Sequence, residues 1–168
     1  MIPAAFDYER AESVDHAIER LGSGRDAKLL AGGHSLLPLM RLRLARPELL
    51  VDIGRVSDLS YVREDGDAVA IGALTRYRDL EQSELLRAEC PIVAETAGLV
   101  GDPQVRHRGT IGGSVAHCDP ASDAPTVLLA LDAELVVRGP GGERTVAAAD
   151  FFRSFFETCT RTGRICEK

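Results

Sequence analysis

Apolar residues recur at helical spacing near the start of the chain. Four of them fall at positions i, i+3, i+4 and i+7 and so share one helix face: Val14, Ala17, Ile18 and Leu21. Ser13 precedes them as a potential N-cap, and Gly22 follows as a potential stop. The pattern predicts a helix that begins after Ser13 and ends before Gly22.

Two short apolar runs follow, at residues 28–31 and 49–53, and each predicts a strand. Between them, residues 32–35 predict a glycine-containing turn and residues 36–44 have a helical pattern. The order helix, strand, turn, helix and strand is typical of a compact α/β unit. We assign residues 1–56 to this first lobe.

The next region has the signature of antiparallel structure. Asp65-Gly66-Asp67 and Pro140-Gly141-Gly142 lie between apolar runs, and each predicts the turn of a hairpin. The flanking strands are expected at residues 61–64, 68–71, 133–138 and 143–146. Helices are expected from Thr75 or Arg76 to Leu80, at residues 91–99 and at residues 120–131. The predicted fold class is therefore α+β in two lobes, the second at residues 57–158.

Composition narrows the class of protein. Hydrophobic residues make up 45% of the 168 positions and charged residues 27%, as in a globular domain that buries a core. The net charge of −6 argues against nucleic-acid binding, which requires clustered Lys and Arg. The sequence shows no apolar stretch long enough to span a bilayer and no secretory signal, so a cytoplasmic location is expected.

The cysteines and histidines are scattered along the chain and predict no metal site. Cys90, Cys118, Cys159 and Cys166 form no Cys-x-x-Cys pair, which argues against zinc and against an iron–sulfur cluster held within this chain. A disulfide framework is not expected in a cytosolic domain of this size. Any ligand chemistry must then come from other residues.

Two glycine pairs carry that chemistry. Gly32-Gly33 lies between a predicted strand and a helix start, where bare backbone exposes N–H groups that suit a diphosphate. Gly112-Gly113 is flanked by the hydroxyls of Thr110 and Ser114, and we interpret it as a second, similar turn. Each pair alone is weak evidence for a ligand, because a lone Gly–Gly pair is more often a plain turn, and neither pair matches a dinucleotide fingerprint or a phosphate loop. Together they suggest one extended ligand held from two sides.

Five segments in this order make the sequence recognisable: residues 29–36, 49–53, 102–106, 110–114 and 119–123. They resemble the FAD-binding medium subunit of molybdopterin dehydrogenases, the family of carbon monoxide and xanthine dehydrogenases. The likeness runs from Ile2 to about Thr158. His34-Ser35 is similar to the carbon monoxide dehydrogenase branch, whereas the xanthine dehydrogenase branch tends to have Thr-Asp there. A xanthine-type subunit is the alternative.

The resemblance implies FAD as cofactor, with the fold of the two-lobed FAD-binding domain of vanillyl-alcohol oxidase-type flavoproteins. In the family, the segment matching 28–35 surrounds the diphosphate, and the segment matching 110–114 supplies a second set of contacts. Asp123 matches a polar ligand, and Ser114 departs from the commoner Asn. The implied cofactor-binding residues are Lys28, Leu29, Leu30, Ala31, Gly32, Gly33, His34, Ser35, Thr110, Ile111, Gly112, Gly113, Ser114 and Asp123.

The resemblance also implies an oxidoreductase subunit that passes electrons from iron–sulfur clusters through flavin to a quinone or NAD. The implied partners are an iron–sulfur small subunit and a molybdopterin large subunit, with contact to a membrane surface only through the complex. We expect no catalytic side chain, and we interpret His34 and His117-Cys118 as structural. Phe151, Phe152, Phe155 and Phe156 are interpreted as core or interface residues.

The last ten residues, 159–168, do not resemble the family's continuation, and the family's C-terminal domain does not follow. The expectation is a truncated or frameshifted subunit with an aberrant tail. Two outcomes stay open: a working flavin subunit, or a remnant that folds but binds FAD weakly or not at all.

Overall fold

The computed structural model describes residues 1–160 and the backbone of the strand Ile165–Cys166. The strands are β1 Asp7–Arg10, β2 Ala27–Leu30, β3 Leu49–Asp52, β4 Val62–Asp65, β5 Ala68–Ile71, β6 Glu134–Gly139, β7 Gly142–Ala147, β8 Phe152–Ser154, β9 Glu157–Thr158 and β10 Ile165–Cys166. The helices are α1 Val14–Leu21, α2 Leu36–Arg41, α3 Tyr77–Gln82, α4 Glu84–Glu89, α5 Pro91–Leu99, α6 Pro103–Arg106, α7 Ile111–His117, α8 Asp123–Ala130 and α9 Ala148–Phe151. A short 3-10 turn, Ser57–Leu59, follows β3.

The first three strands form a parallel sheet in the order β1-β3-β2. Leu49 of the central strand pairs with Asp7 on one side and with Ala27 on the other. Because all three strands run the same way, their carboxyl ends meet at one edge of the sheet. This edge is the part of the fold that positions the site.

Helix α1 confirms the first prediction. The Ser13 hydroxyl accepts a hydrogen bond from His16 N–H at 3.1 Å, so the helix begins where the N-cap pattern indicates. Gly22 is the C-cap, and its N–H donates the last helical bond to Ile18 C=O at 3.0 Å. Its buried face comprises Ala17, Ile18 and Leu21.

Strand β1 was not predicted from the sequence. Its residues are polar and mostly exposed, so they lack the alternating apolar pattern of a half-buried strand. Tertiary contacts hold it instead: β1 pairs with β3, and Arg25 bonds the Asp7 carboxylate at 2.7 Å. The Tyr8 hydroxyl also donates to the Asp52 carboxylate.

Both predicted hairpins are present. Strands β4 and β5 pair antiparallel, as do β6 and β7, and β10 adds to the free edge of β6. Some helix ends differ from prediction: α2 ends at Arg41, before Arg43 takes a positive φ of 61°. Helix α3 begins at Tyr77, and α8 begins at Asp123 because the chain before it forms a turn. Helices α4, α6 and α9 were not predicted.

Two hydrophobic cores lie one in each half of the chain. The first is formed between α1 and the parallel sheet, and it also receives Leu59 and Leu74. The second is formed by α3, α5, α7, α8 and the β6–β7 hairpin, with Phe151 fully buried in it. An ion pair between Arg138 and Asp15, 2.7 Å long, joins the two halves. The lobe boundary at residues 56 and 57 stays a prediction.

The phenylalanine cluster separates into two kinds of residue. Phe151 is 0% exposed and its ring meets that of Phe152 edge-on, with centroids 5.1 Å apart. Phe155 is 76% exposed, and Phe156 is also exposed, with its ring 5.2 Å from that of His117. Of the predicted tail, residues 159–168, the structure describes only Cys159, Thr160 and the backbone of β10, so that prediction lies mostly outside the described residues. Within the described residues, no helix combines the length and apolar character needed to cross a bilayer.

Candidate functional site

The first glycine segment follows β2 and leads directly into α2. Gly33 has a φ of +80°, a conformation that glycine adopts without strain. Among the described residues, the N–H groups of residues 32–35 have no acceptor. His34 and Ser35 are exposed. The segment therefore presents consecutive free backbone donors beside the sheet, as a diphosphate ligand requires.

The second glycine segment is not a turn, which corrects the sequence interpretation. It is the first turn of α7, which Thr110 caps: its Oγ1 accepts from Gly113 N–H at 3.2 Å. The Ile111 N–H donates to Thr75 C=O at 3.1 Å, and the Gly112 N–H donates to Ala73 C=O at 2.9 Å. These bonds hold the start of α7 against the strand-like segment before α3. Local propensity disfavours glycine in helices, but here the tertiary contacts prevail.

The first glycine segment contacts the two residues that directly precede the second, Arg108 and Gly109. A Cβ atom on Gly32 would lie 2.2 Å from the Arg108 carbonyl oxygen and 2.9 Å from Gly109 Cα. A Cβ atom on Gly112 would lie 2.5 Å from Ala73 Cβ. Both glycines are therefore required for protein packing, independently of any ligand. A single ligand spanning both segments stays a prediction, which this contact favours.

A cleft of about 330 Å³ opens where the segments meet. Arg10, Leu30 and Asp52, the last residues of β1, β2 and β3, all line it. The remaining lining residues are Ala31, Gly32, Gly54, Arg55, Leu74, Arg76, Arg108 and Thr110. Ligands of open parallel sheets typically bind at this carboxyl edge. Of the predicted cofactor-binding residues, the cleft brings together Leu30, Ala31, Gly32 and Thr110.

The other predicted residues lie outside this cleft. Leu29 packs against the first core and Ile111 is buried in the second, so their side chains are not available to a ligand. The Ile111 N–H is also engaged, since it donates to Thr75 C=O. The side chains of Lys28, His34 and Ser35 are exposed. Gly113 faces open space apart from the Thr110 hydroxyl, 2.8 Å from where its Cβ would stand.

Ser114 and Asp123 both influence Tyr77, a residue that was not predicted from the sequence to belong to the site. Tyr77 is 3% exposed, and its hydroxyl has no hydrogen-bond partner of normal geometry among the described residues, although the Ser114 side chain is near enough to interact with it weakly. Burial raises the pKa of this hydroxyl, the Ser114 side chain partly opposes the rise, and the Asp123 carboxylate adds to it. No sequence signal separates this tyrosine from an ordinary core aromatic. A buried and at most weakly bonded hydroxyl beside two predicted ligands fits a polar group of a cofactor.

We expect Tyr77→Phe to leave the free energy of unfolding at neutral pH unchanged, or to raise it by up to about 1 kcal/mol, because the lost hydroxyl is buried and makes at most a weak interaction with Ser114. Folding raises the pKa of Tyr77 above 10.0, so the wild type loses stability as the pH rises past that value and the variant loses less. Chemical denaturation on either side of pH 10 measures both effects.

Tyr8→Phe is the matched control, because its hydroxyl donates to Asp52. The free energy of unfolding of Tyr8→Phe should be lower than that of the wild type by about 0.5–1.5 kcal/mol. A similar loss from Tyr77→Phe would mean that the Tyr77 hydroxyl is bonded in the protein alone.

With this geometry in place, similarity to known proteins decides the family. The family described as the FAD binding domain in molybdopterin dehydrogenase matches residues 4–168. The chain belongs to this family. The carbon monoxide dehydrogenase medium chain of Hydrogenophaga pseudoflava is 51% identical over 159 residues, which are 94% of this chain and 55% of that one. The xanthine dehydrogenase FAD-binding subunit of Escherichia coli O157:H7 is 31% identical over 86% of this chain and 50% of the subunit.

Comparison with solved structures supports the same family. Carbon monoxide dehydrogenase from Hydrogenophaga pseudoflava superposes with a TM-score of 0.97 at 49% identity, covering 99% of this chain and 59% of that one. The chain thus spans little more than half the length of these relatives. The predicted family, the fold class and FAD as the family's cofactor are confirmed. The likeness to the carbon monoxide dehydrogenase branch over the xanthine branch is also confirmed.

Proposed function

We propose that this chain is the FAD-holding part of the medium subunit of a molybdenum hydroxylase complex, similar to aerobic carbon monoxide dehydrogenase. Bound FAD would pass electrons from an iron–sulfur small subunit to a quinone or NAD, after a molybdopterin large subunit has oxidised the substrate. The observation that carries the proposal is the contact of Gly32 with Arg108 and Gly109, which brings the free N–H groups of residues 32–35 beside the start of α7.

The chain's own part is to bind and orient the cofactor. The N–H groups of residues 32–35 would donate to the diphosphate. No hydrogen bond within the described protein would have to break first, because these groups have no acceptor there. The segment 110–114 would add the hydroxyls of Thr110 and Ser114 from the other side, because the N–H groups of residues 111–114 already donate within the protein. The exposed Asp123 carboxylate would accept from a ribityl or ribose hydroxyl, and Ser114 would take the place of the commoner Asn.

Side-chain geometry argues against a Cys–His nucleophile at His117 and Cys118. The Cys118 thiol donates to the carbonyl oxygens of Ser154 and Glu157 at 3.4 and 3.5 Å, and the His117 ring packs on Phe156. The two adjacent side chains are therefore engaged separately, so they do not form a Cys–His pair. His34 is an exposed loop residue for which the described residues provide no orienting hydrogen bond. The reactive group would then be the flavin alone.

The test is FAD binding by the chain, measured by quenching of flavin fluorescence and by retained visible absorbance after desalting. His34→Glu should weaken FAD binding by about tenfold or more, because it places a carboxylate beside the free N–H groups that would face the diphosphate. The exposed position of His34 should leave the fold intact. Gln104→Glu adds the same charge on exposed α6, outside both glycine segments, and should bind FAD like the wild type.

Retained FAD with a selective loss in His34→Glu would support a working flavin subunit. A folded wild-type chain that retains no FAD would favour the remnant hypothesis. Equal affinities in the two charge variants would contradict the assigned diphosphate position. Neighbouring genes for iron–sulfur and molybdopterin subunits would support the proposed complex.

A further inference from the structure

Four arginines line the cleft, and they come from four separate segments. We call Arg10, Arg55, Arg76 and Arg108 the arginine cluster. All four side chains are exposed. In the part of the chain that the structure describes, none of their guanidinium groups forms an ion pair or donates a hydrogen bond. By contrast, Arg20, Arg25 and Arg106 bond carboxylates at 2.9, 2.7 and 3.2 Å.

The cleft is a positively charged site on a negatively charged protein. The chain has a net charge of −6, yet the lining of the cleft contains four guanidinium groups and one carboxylate, Asp52. That carboxylate already accepts hydrogen bonds from the Tyr8 hydroxyl and, at 2.8 Å, from Gly54 N–H. Gathering like charges around one concavity is unfavourable unless an anion binds there, and it attracts such an anion.

The position of the cleft identifies the anion. Ala31 and Gly32 belong both to the cleft lining and to the glycine segment with the free N–H groups, and Thr110 adds the capped start of α7. Guanidinium forks bind phosphate oxygens with two parallel hydrogen bonds and bring a full positive charge, which backbone N–H groups lack. A ligand with two linked phosphates can reach both kinds of donor at once.

We propose that the arginine cluster binds the diphosphate of FAD and thereby makes the chain select FAD over flavins that lack a diphosphate. This inference rests on the proposed function. It assigns to these four side chains the charge compensation that the backbone of the glycine segments does not provide. The competing source of the same chemistry is the diphosphate of a separate nucleotide, such as a dinucleotide acceptor.

The experiment compares FAD with riboflavin, which has the same ring and no phosphate, on the full chain. Arg55→Ala and Arg108→Ala should each weaken FAD binding about tenfold, and the double variant about a hundredfold, with riboflavin affinity unchanged. Wild-type FAD affinity should fall with added salt, and the double variant should lose most of that dependence. Arg78→Ala is the control, because it removes an exposed arginine two residues from Arg76 that does not line the cleft.

ADP distinguishes the two sources of the diphosphate. It should compete with FAD on the wild type and bind the double variant weakly. ADP that binds FAD-saturated protein through the same arginines would overturn the assignment to FAD. Equal FAD affinities in the double variant and in Arg78→Ala would also overturn the role of the arginine cluster. In that case the proposed binding of FAD by the chain would still stand. A wild type that binds neither FAD nor riboflavin would remove the proposed function and this inference together.

Discussion

Replacing Gly32 with alanine is expected to lower the free energy of unfolding by about 3 kcal/mol, because the new Cβ would stand 2.2 Å from the Arg108 carbonyl oxygen. Backbone atoms lie on both sides of this contact, so a side-chain rotation cannot relieve it. In a chain of this size the melting temperature should fall by roughly 6–12 °C. Thermal and chemical denaturation measure both quantities.

Gly141→Ala is the matched control, because a Cβ atom there meets no atom within 4 Å. Its stability should stay within about 0.5 kcal/mol of the wild type. If Gly32→Ala were equally stable, Gly32 would not lie against the Arg108 and Gly109 backbone. Because Gly32 is required for packing, a loss of FAD binding in its variants could reflect either a lost cofactor contact or a disturbed fold. The exposed His34 avoids this ambiguity in the binding test.

Replacing Phe151 with alanine should lower the free energy of unfolding by about 3–5 kcal/mol, since the ring is 0% exposed in the second core and its loss leaves a cavity. The residue ends α9 and packs beneath the β6–β7 hairpin, so the whole second core should be weakened. Urea denaturation gives the loss directly.

Phe155→Ala tests the same change at a side chain that is 76% exposed, and it should alter stability by no more than about 0.5 kcal/mol. Comparable losses from both variants would contradict the division of the phenylalanine cluster into core and surface. The sequence pattern alone assigns these neighbouring phenylalanines the same role.

Local signals were sufficient for the elements that carry their own start, stop or turn. Ser13 and Gly22 bound α1 because a hydroxyl and a bare backbone satisfy its terminal groups. Gly66 takes a φ of +68° in the β4–β5 turn, and Pro91 opens α5 at a position that needs no N–H donor. In each case the residue types within a few positions determine the conformation.

Elements that depend on residues far away in the sequence could not be predicted from local patterns. Strand β1 is charged and exposed, and it exists because β3 provides its hydrogen-bond partners. The Gly112-Gly113 pair has low helix propensity, yet α7 forms because Thr110 caps it and Ala73 holds its backbone. A local pattern contains no record of such contacts.

The sequence by itself determined the family, the cofactor and the two segments expected to hold it, because their order along the chain is a linear property. Only the tertiary structure decided that Gly32 and Gly112 serve protein packing and that the Tyr77 hydroxyl is buried with at most a weak partner. The arginine cluster likewise appears only when the carboxyl ends of the parallel strands meet the start of α7. Charges far apart in sequence share one field only after folding places them around the same cleft.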